Sequence, residues 1–432
     1  MPEFFKLNNY VKHYEWGSPD WIPRLLGLAN TGGKPWAELW MGSHPGASST
    51  VTINGGEITL ADFIARNTEY CLGEQAAEQY GALPFLFKVL AAQAPLSIQA
   101  HPNLVQAREG FERENKAGIA IDAPNRNYRD SNHKPEIICA LTPFTGMCGF
   151  RPPDEIRSLL RAFLSPPSCL PPESSALRQG FAPLFAALDT ADTTAALRNF
   201  VNALFGLSAA LRNELTAYIA CSSAIACGRE TTAGLSPLQW ELMGDFAARY
   251  PGDPALVSPL YLNIFHLKPG EAIFLRDGVL HAYIHGLGVE LMANSDNVLR
   301  GGLSLKHIDV PELLNILDYS PLRPEILRPN YDAGAAGSFC YPAACDEFSL
   351  LTMSGGKGTA APAPNGPAIC IVTAGELHIT GGESRDGMIL KTGESVFLPA
   401  CGNNGKPLMF EGTYTLYAAT LPQAAIRHED SC

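Results

Sequence analysis

The 432-residue chain has no stretch approaching the ~20 consecutive apolar residues that a helix needs to cross a bilayer. It has no dense Lys/Arg run either. Its formal charge of −12 gives a mean field that repels phosphate backbones and anionic lipid, so nucleic acid and membranes are not expected partners. A small anionic substrate remains compatible, because a few Lys and Arg focused in a cleft can bind one. The start, Met1-Pro-Glu-Phe-Phe-Lys, lacks a basic region followed by an apolar run, and no secretory signal is read there. The 11 cysteines contain no C-x-x-C pair and no regular spacing, which argues against both a disulfide framework and a thiolate zinc knuckle. They read as small core hydrophobes in a reducing compartment, and the expected location is the cytoplasm.

What the chain does have is apolar material, 46% of residues, and a length that calls for two or three domains. Between Pro84 and Ala100, two strand-length apolar segments predict neighbouring strands, and the charged, proline-free stretch from Leu104 to Asn115 predicts a helix before Gly118. From 153 to 254 the texture becomes Ala- and Leu-rich with apolar residues recurring at three and four, which predicts a helical insertion. After Pro254 short strands return between Gly and Pro turns, the pattern of an antiparallel sandwich or jelly roll. The segment from Arg323 to Pro367, rich in Pro, Gly and Ala, reads as a linker into another module.

One short repeat supports two β modules. Leu267-Lys-Pro-Gly-Glu-Ala-Ile-Phe-Leu275 returns as Leu390-Lys-Thr-Gly-Glu-Ser-Val-Phe-Leu398. A Gly-Glu turn ahead of alternating apolar residues suits entry into a central strand, with chance reuse of a good turn as the alternative. The first copy is soon followed by His281, whereas the second continues Pro399-Ala-Cys-Gly-Asn-Asn-Gly without imidazole or carboxylate. Only the first copy can bind metal at this position.

Three segments concentrate chemistry. In Gln99-Ala100-His101 the two polar residues share one face of a strand; alone, the pattern is more often a surface pair. Tyr128-Arg-Asp-Ser-Asn-His-Lys-Pro-Glu136 precedes the apolar run Ile137-Ile-Cys-Ala-Leu, and Pro135 enforces the extended backbone that puts Lys134 and Glu136 on one face. A solvated charged loop is the bland alternative. The run from His281 to Arg300 holds Glu290 within an apolar stretch, where an unpaired carboxylate is costly and must have a partner or a task. His281 and His285 are four apart but lack the Glu of a zincin helix, and Gly286-Leu-Gly288 lacks the third Gly of a dinucleotide fingerprint and reads as a turn.

Taken together and in this order, the segments resemble type I phosphomannose isomerases over most of the chain. Tyr128 to Glu136 matches that family's Y-x-D-x-N-H-K-P-E signature without departure. His281 to Lys306 is similar to its second signature, H-A-Y-x-x-G-x-x-x-E-x-M-A-x-S-D-N-x-x-R-A-G-x-T-P-K, with Gly301, Ser304 and Leu305 in place of Ala, Thr and Pro. The resemblance implies a mainly β fold of two cupin-like jelly rolls: a catalytic one over 1–152 and 255–322, the helical insertion over 153–254, and a linker with a metal-free module over 323–432. It implies one zinc ion held by Gln99, His101, Glu136 and His281, and interconversion of mannose 6-phosphate and fructose 6-phosphate through an enediol. Ser97, Lys134, Arg300 and Tyr283 are the expected substrate contacts, and Arg300, Glu290, Lys306 and His133 the expected catalytic groups. Glu290 is the preferred base, His133 the second choice, and Lys306 a proton relay; Lys88 and Glu38 are supporting neighbours. A non-catalytic cupin that binds sugar phosphate is the alternative from another class. A cupin oxygenase is disfavoured because it commonly carries H-x-H, absent here. The sugar phosphate is the only partner expected, with the chain a monomer or weak homo-oligomer.

Overall fold

The computed structural model describes residues 3–165, 172–226, 234–329, 337–355, 359–360, 366–381, 384–402 and 408–422. Two large antiparallel sheet systems and a helical block dominate the described residues, with a two-stranded hairpin over Thr50–Ile53 and Gly56–Thr59 beside them, as expected for the fold class. The first system contains β1 (Tyr10–Lys12), β2 (Glu38–Met41), β3 (Phe85–Ala92), β4 (Ile98–Ala100), β5 (Glu136–Ala140), β6 (Phe144–Phe150), β7 (Leu262–Leu267), β8 (Ala272–Leu275), β9 (His281–Ala293) and β10 (Leu299–Gly302). Its path runs β7-β6-β9-β3-β2-β1, with β4 and β5 also paired to β9. The two strands expected between Pro84 and Ala100 are present as β3 and β4, but they do not pair with each other; both flank β9.

β9 organises the site. Its first part pairs with β4 and β6, its second with β3 and β5. The Gly286-Leu-Gly288 segment, read from sequence as a turn, lies inside this continuous strand. Gly286 has φ of 136°, and a Cβ there would sit 2.5 Å from the Phe144 ring, so only glycine lets the strand bend past Phe144. A register shift between Tyr283 and His285 changes which residues face inward. Before it, His281 and Tyr283 point into the module while Ala282 and Ile284 join the core shared with the helices. After it, Glu290 and Met292 point inward and Leu287, Val289 and Leu291 join a core shared with the second module.

The helical block includes α1 (Leu104–Lys116), α2 (Pro153–Phe163), α3 (Thr193–Phe205), α4 (Ala209–Ala226) and α5 (Pro237–Arg249). α1 begins at Asn103, whose side chain and that of Gln106 satisfy each other's backbone N–H groups, so the chain leaves β4, passes His101 and is pinned at once. α5 uses the same device with Ser236 and Gln239. Phe163, Phe200, Tyr218 and Trp240 fill the block's interior and meet Phe150, Ala282 and Ile284 of the sheet.

The second system contains β11 (Gly337–Tyr341), β12 (Ser349–Ser354), β13 (Ala368–Gly381), β14 (Ser384–Lys391), β15 (Ser395–Leu398), β16 (Leu408–Glu411) and β17 (Tyr414–Thr420). β11 and β12 fall within the segment read as a linker; their short length and flanking Gly and Ala masked the alternation that Leu350 and the other inward residues provide. The remainder of that segment lies partly outside the described residues, as does the end of Pro399–Gly405. Ile369, Ile371, Phe397 and Tyr417 pack against Leu39, Phe87, Val89 and Leu291, so the second module covers the outer face of β2, β3, β5 and β9. The N-terminal strand Phe5–Lys6 pairs with β15 and ties the modules further.

Candidate metal centre and sugar site

The sheet register places the ligand candidates before any side-chain chemistry is considered. Gln99 lies directly opposite His281 on one side and Arg300 on the other, and cross-strand partners share a face. His101 follows two residues after Gln99. Glu136 begins β5, opposite Met292 of β9 and Leu275 of β8. The consequence is a buried group in which one donor atom each of His101, Glu136 and His281 all lie within 4.8 Å of one another.

Hydrogen bonding fixes the imidazoles. His101 Nδ1 is 2.7 Å from the Asn297 carbonyl oxygen and His281 Nδ1 is 2.9 Å from that of Val279. A carbonyl only accepts, so each Nδ1 carries the proton and each Nε2 presents a lone pair. Those Nε2 atoms lie 3.5 and 3.4 Å from the two carboxylate oxygens of Glu136, and both Nε2 atoms and Glu136 Oε2 are buried without a hydrogen-bond partner. Lone pairs facing a carboxylate in a dry site call for a cation between them. Two imidazole nitrogens and a carboxylate are a donor set that zinc takes at about 2.0–2.2 Å. Burial, followed by the charge of Lys134, lowers the His101 imidazole to about 4, which keeps it neutral and ready to ligate. Glu136 stays ionised: burial would raise it, but the Lys134 ammonium beside it holds it well below its ordinary value.

Beside this group opens a cavity of about 190 Å³ lined by Tyr14, Glu38, Trp40, Lys88, Gln99, Lys134, Glu136, Tyr283, Glu290, Ser295 and Asp296, with Leu and Met side chains between them. Lys88 and Glu290 are opposite each other in the register and their charged ends are 2.6 Å apart; Glu38 is 3.5 Å from the same ammonium. Burial raises the Glu290 carboxyl, Lys88 pulls it back, and Glu136 adds to the rise, leaving it raised. Burial works against the Lys88 charge, but Glu290, Glu38 and Glu136 outweigh it and hold the ammonium. The Tyr283 hydroxyl is buried in the wall without a hydrogen-bond partner, raised first by burial and then by Glu290.

Other residues singled out from sequence fall into different places. Lys134 lines the cavity, but its ammonium is 2.6 Å from Glu136 Oε1 and so is engaged with a ligand carboxylate. Ser97 precedes Gln99 by two on the approach to β4. Arg300 on β10 and Lys306 lie outside the cavity lining; both are lowered by partial desolvation and then by neighbouring cations, Arg129 among them for each. His133 is not in the cavity. Its Nδ1 is 3.1 Å from Asp277 and its Nε2 is 2.7 Å from Glu347, which raise it to about 9 against the opposing effect of burial.

Asn297 and Ser295, which were not singled out from the sequence, build the site together with Asp130, which was. Asn297, fully buried, accepts from the Arg129 N–H at 2.7 Å and donates to the carbonyls of Asp130 and Asn132, while its own carbonyl orients His101. Asp130 in turn accepts from Ser295 Oγ and the Asp296 N–H. Both signatures held these residues, and the signal was present for Ser295 and Asn297: polar side chains buried beside apolar strands. Tyr14 at the cavity had no motif to mark it, whereas Asp296 stands in the second signature.

Comparison with known proteins decides the family. A model of the phosphomannose isomerase type I catalytic domain matches residues 4–153. Mannose-6-phosphate isomerase of Salmonella typhimurium is 39% identical over 416 residues, covering 94% of this chain and 97% of that protein. The chain belongs to the type I phosphomannose isomerases. The human mannose-6-phosphate isomerase is 36% identical over 74% of each chain. Among solved phosphomannose isomerases, the Salmonella typhimurium enzyme bound to fructose 6-phosphate and zinc superposes with a TM-score of 0.83 at 34% identity, covering 98% of this chain and all of that one. A zinc-bound mannose 6-phosphate isomerase gives the same score.

Proposed function

We propose that the chain is a zinc-dependent mannose-6-phosphate isomerase that interconverts D-mannose 6-phosphate and D-fructose 6-phosphate through an enediol. The observation that carries this reading is the set of three buried, unpartnered donor atoms on His101, Glu136 and His281 beside a polar cavity. Gln99, opposite His281, supplies a fourth, neutral donor. Zinc bound there supplies Lewis acidity toward sugar oxygens, from a ligand set with a single negative charge.

The chain's own groups do the rest. Proton transfer between C1 and C2 needs one base near both carbons, and Glu290 fits: it lines the cavity, and its raised pKa lets it take and return a proton. Lys88 holds that carboxylate in place and offers an ammonium to oxygens on which charge develops. Tyr283 contributes a free hydroxyl to the wall. His133, with both nitrogens donating to carboxylates, is left out of proton transfer. Ser97, Lys134, Arg300 and Lys306 remain the groups for phosphate and sugar oxygens; Arg300 and Lys306 share their surroundings with Arg129, and such mutually repelling cations favour a dianion.

On this reading residues 1–152 and 255–322 form the catalytic unit, 153–254 a helical insertion, and 323–432 a module without metal. No helix among the described residues is long and apolar enough to cross a membrane. We assign the chain to the cytoplasm as a monomer or weak homo-oligomer, on its acidic charge and scattered cysteines. The test is a coupled assay on mannose 6-phosphate before and after prolonged chelation, with far-UV circular dichroism alongside. Activity should disappear with the metal, return with zinc, and leave the spectrum largely intact; full activity in a verified metal-free sample contradicts the reading.

A further inference from the structure

The second module has no metal ligands among its described residues, yet one of its carboxylates reaches the loops that carry the first module's ligands. Glu347, just ahead of β12, accepts from His133 Nε2 at 2.7 Å, and Asp277 accepts from His133 Nδ1 at 3.1 Å. The three side chains are 14–26% exposed, sheltered enough for charge-assisted hydrogen bonds to hold their geometry. Each end of this clamp leads to a ligand. His133 opens the sequence His133-Lys134-Pro135-Glu136. Asp277 is followed by Gly278, whose N–H donates to the His101 carbonyl oxygen at 2.8 Å, and by Val279, whose carbonyl fixes the His281 tautomer. Gly278 has φ of 75°, and a Cβ there would stand 2.9 Å from the Asp318 nitrogen and Ile316 oxygen, so the turn has no slack to absorb a shift.

We infer that Glu347, through His133 and Asp277, is a positioning residue that sets the spacing of the His101, Glu136 and His281 donors, and that pre-organising the metal site is a task of the second module. The inference rests on the reading of those three residues as the zinc site. Removal of such an outer support typically weakens metal binding by about 10–100-fold.

The test is zinc affinity of the full-length chain, measured by competition with a chelator of known affinity. Glu347→Gln keeps the shape and removes the charge; Asp277→Asn attacks the clamp from the other module and serves if the first variant folds poorly. Tyr341→Phe is the control for general loosening, since the Tyr341 hydroxyl also joins the two modules, donating to the Gly270 carbonyl at 2.7 Å and accepting from Cys139 Sγ at 3.3 Å, without taking part in the His133–Asp277–Glu347 clamp. The expected result is about 10–100-fold weaker zinc binding in Glu347→Gln and Asp277→Asn, with Tyr341→Phe near the unaltered chain although its melting temperature falls. Unchanged affinity in both clamp variants overturns the proposal, as does an equal loss in Tyr341→Phe. His281→Ala separates the two levels: if it binds zinc as tightly as the unaltered chain, the metal reading itself fails and the clamp with it, whereas loss in His281→Ala alone overturns only the clamp.

Discussion

The two modules enter a central strand through the same turn and use it for opposite ends. In the first, Glu271 accepts from the Lys268 N–H at 2.9 Å and Gly270 has φ of 84°. In the second, Glu394 accepts from the Lys391 N–H at 2.8 Å and Gly393 has φ of 85°. The repeat seen in sequence is therefore a repeat of backbone and hydrogen bonds. Beyond it the modules part. The strand after the first turn leads to Asp277, which accepts from His133, to Gly278, which donates to the His101 carbonyl, and to His281. The strand after the second leads to Ala400 and Cys401, whose N–H groups donate to the carbonyls of Cys71 and Tyr70. The interiors differ in the same sense. The first module buries Glu38, Lys88, Glu136 and Glu290 together, whereas the buried polar residues described in the second are Thr352, Ser395 and Thr420, set among Val372, Leu377, Ile379 and Phe410. Buried charge is costly unless it is paired. One module bears that cost around a cavity, and the other is a packed support.

The comparison breaks most readily at Glu290. Glu290→Gln removes the proposed base and keeps the volume, and kcat should fall by about 10²-fold or more with a modest change in substrate binding. Exchange of the substrate C2 hydrogen with solvent deuterium should fall in step. Exchange that persists in a folded, zinc-loaded Glu290→Gln chain would remove Glu290 as the proton carrier.

A second effect sits where the modules meet. The His133 imidazolium is raised from an ordinary value near 6.5 to about 9 by Asp277 and Glu347 against burial. A raised folded-state pKa adds stability that is full below the unfolded value and is lost as pH rises through the folded one. The melting temperature of the unaltered chain should therefore exceed that of Glu347→Gln below pH 6.5, and the gap should close as pH rises past about 9. A gap that widens across that window contradicts the clamp's charge state.

The smallest effect tests the repeat itself. Glu271→Gln and Glu394→Gln each lose one charge-assisted turn hydrogen bond and one ion pair, to Arg328 and Lys6 respectively. Each should cost on the order of 1 kcal/mol of stability in denaturant unfolding. Both should leave isomerase activity intact; a loss confined to Glu271→Gln would show that the first turn carries more than structure.

Much of this was legible before the structure. The nine residues from Tyr128 to Glu136, the run from His281, and Gln99-Ala100-His101 named the donors that the fold gathers, and the capped helix at Leu104 lies where its charge pattern placed it, one residue longer at its C-terminus. Three things were hidden for physical reasons. The bend at Gly286 and the register shift before His285 change strand parity, so the inward face of His281 and that of Glu290 could not be joined by counting. Asp277 and Glu347 act only through His133, 144 and 214 residues away in sequence, and His133 looked like a base because both carboxylates lie so far from it along the chain. The strands at Gly337 and Ser349 were read as linker because their stability comes from packing against the first module rather than from local propensity.

The central claim, that His101, Glu136 and His281 with Gln99 hold zinc, is tested most directly by X-ray absorption at the zinc edge on the metal-loaded chain. The account predicts a first shell of nitrogen and oxygen alone near 2.0–2.1 Å, with outer-shell scattering from two imidazoles that drops to one in His101→Ala. Sulfur scattering near 2.3 Å, or an unchanged spectrum in His101→Ala, would contradict it.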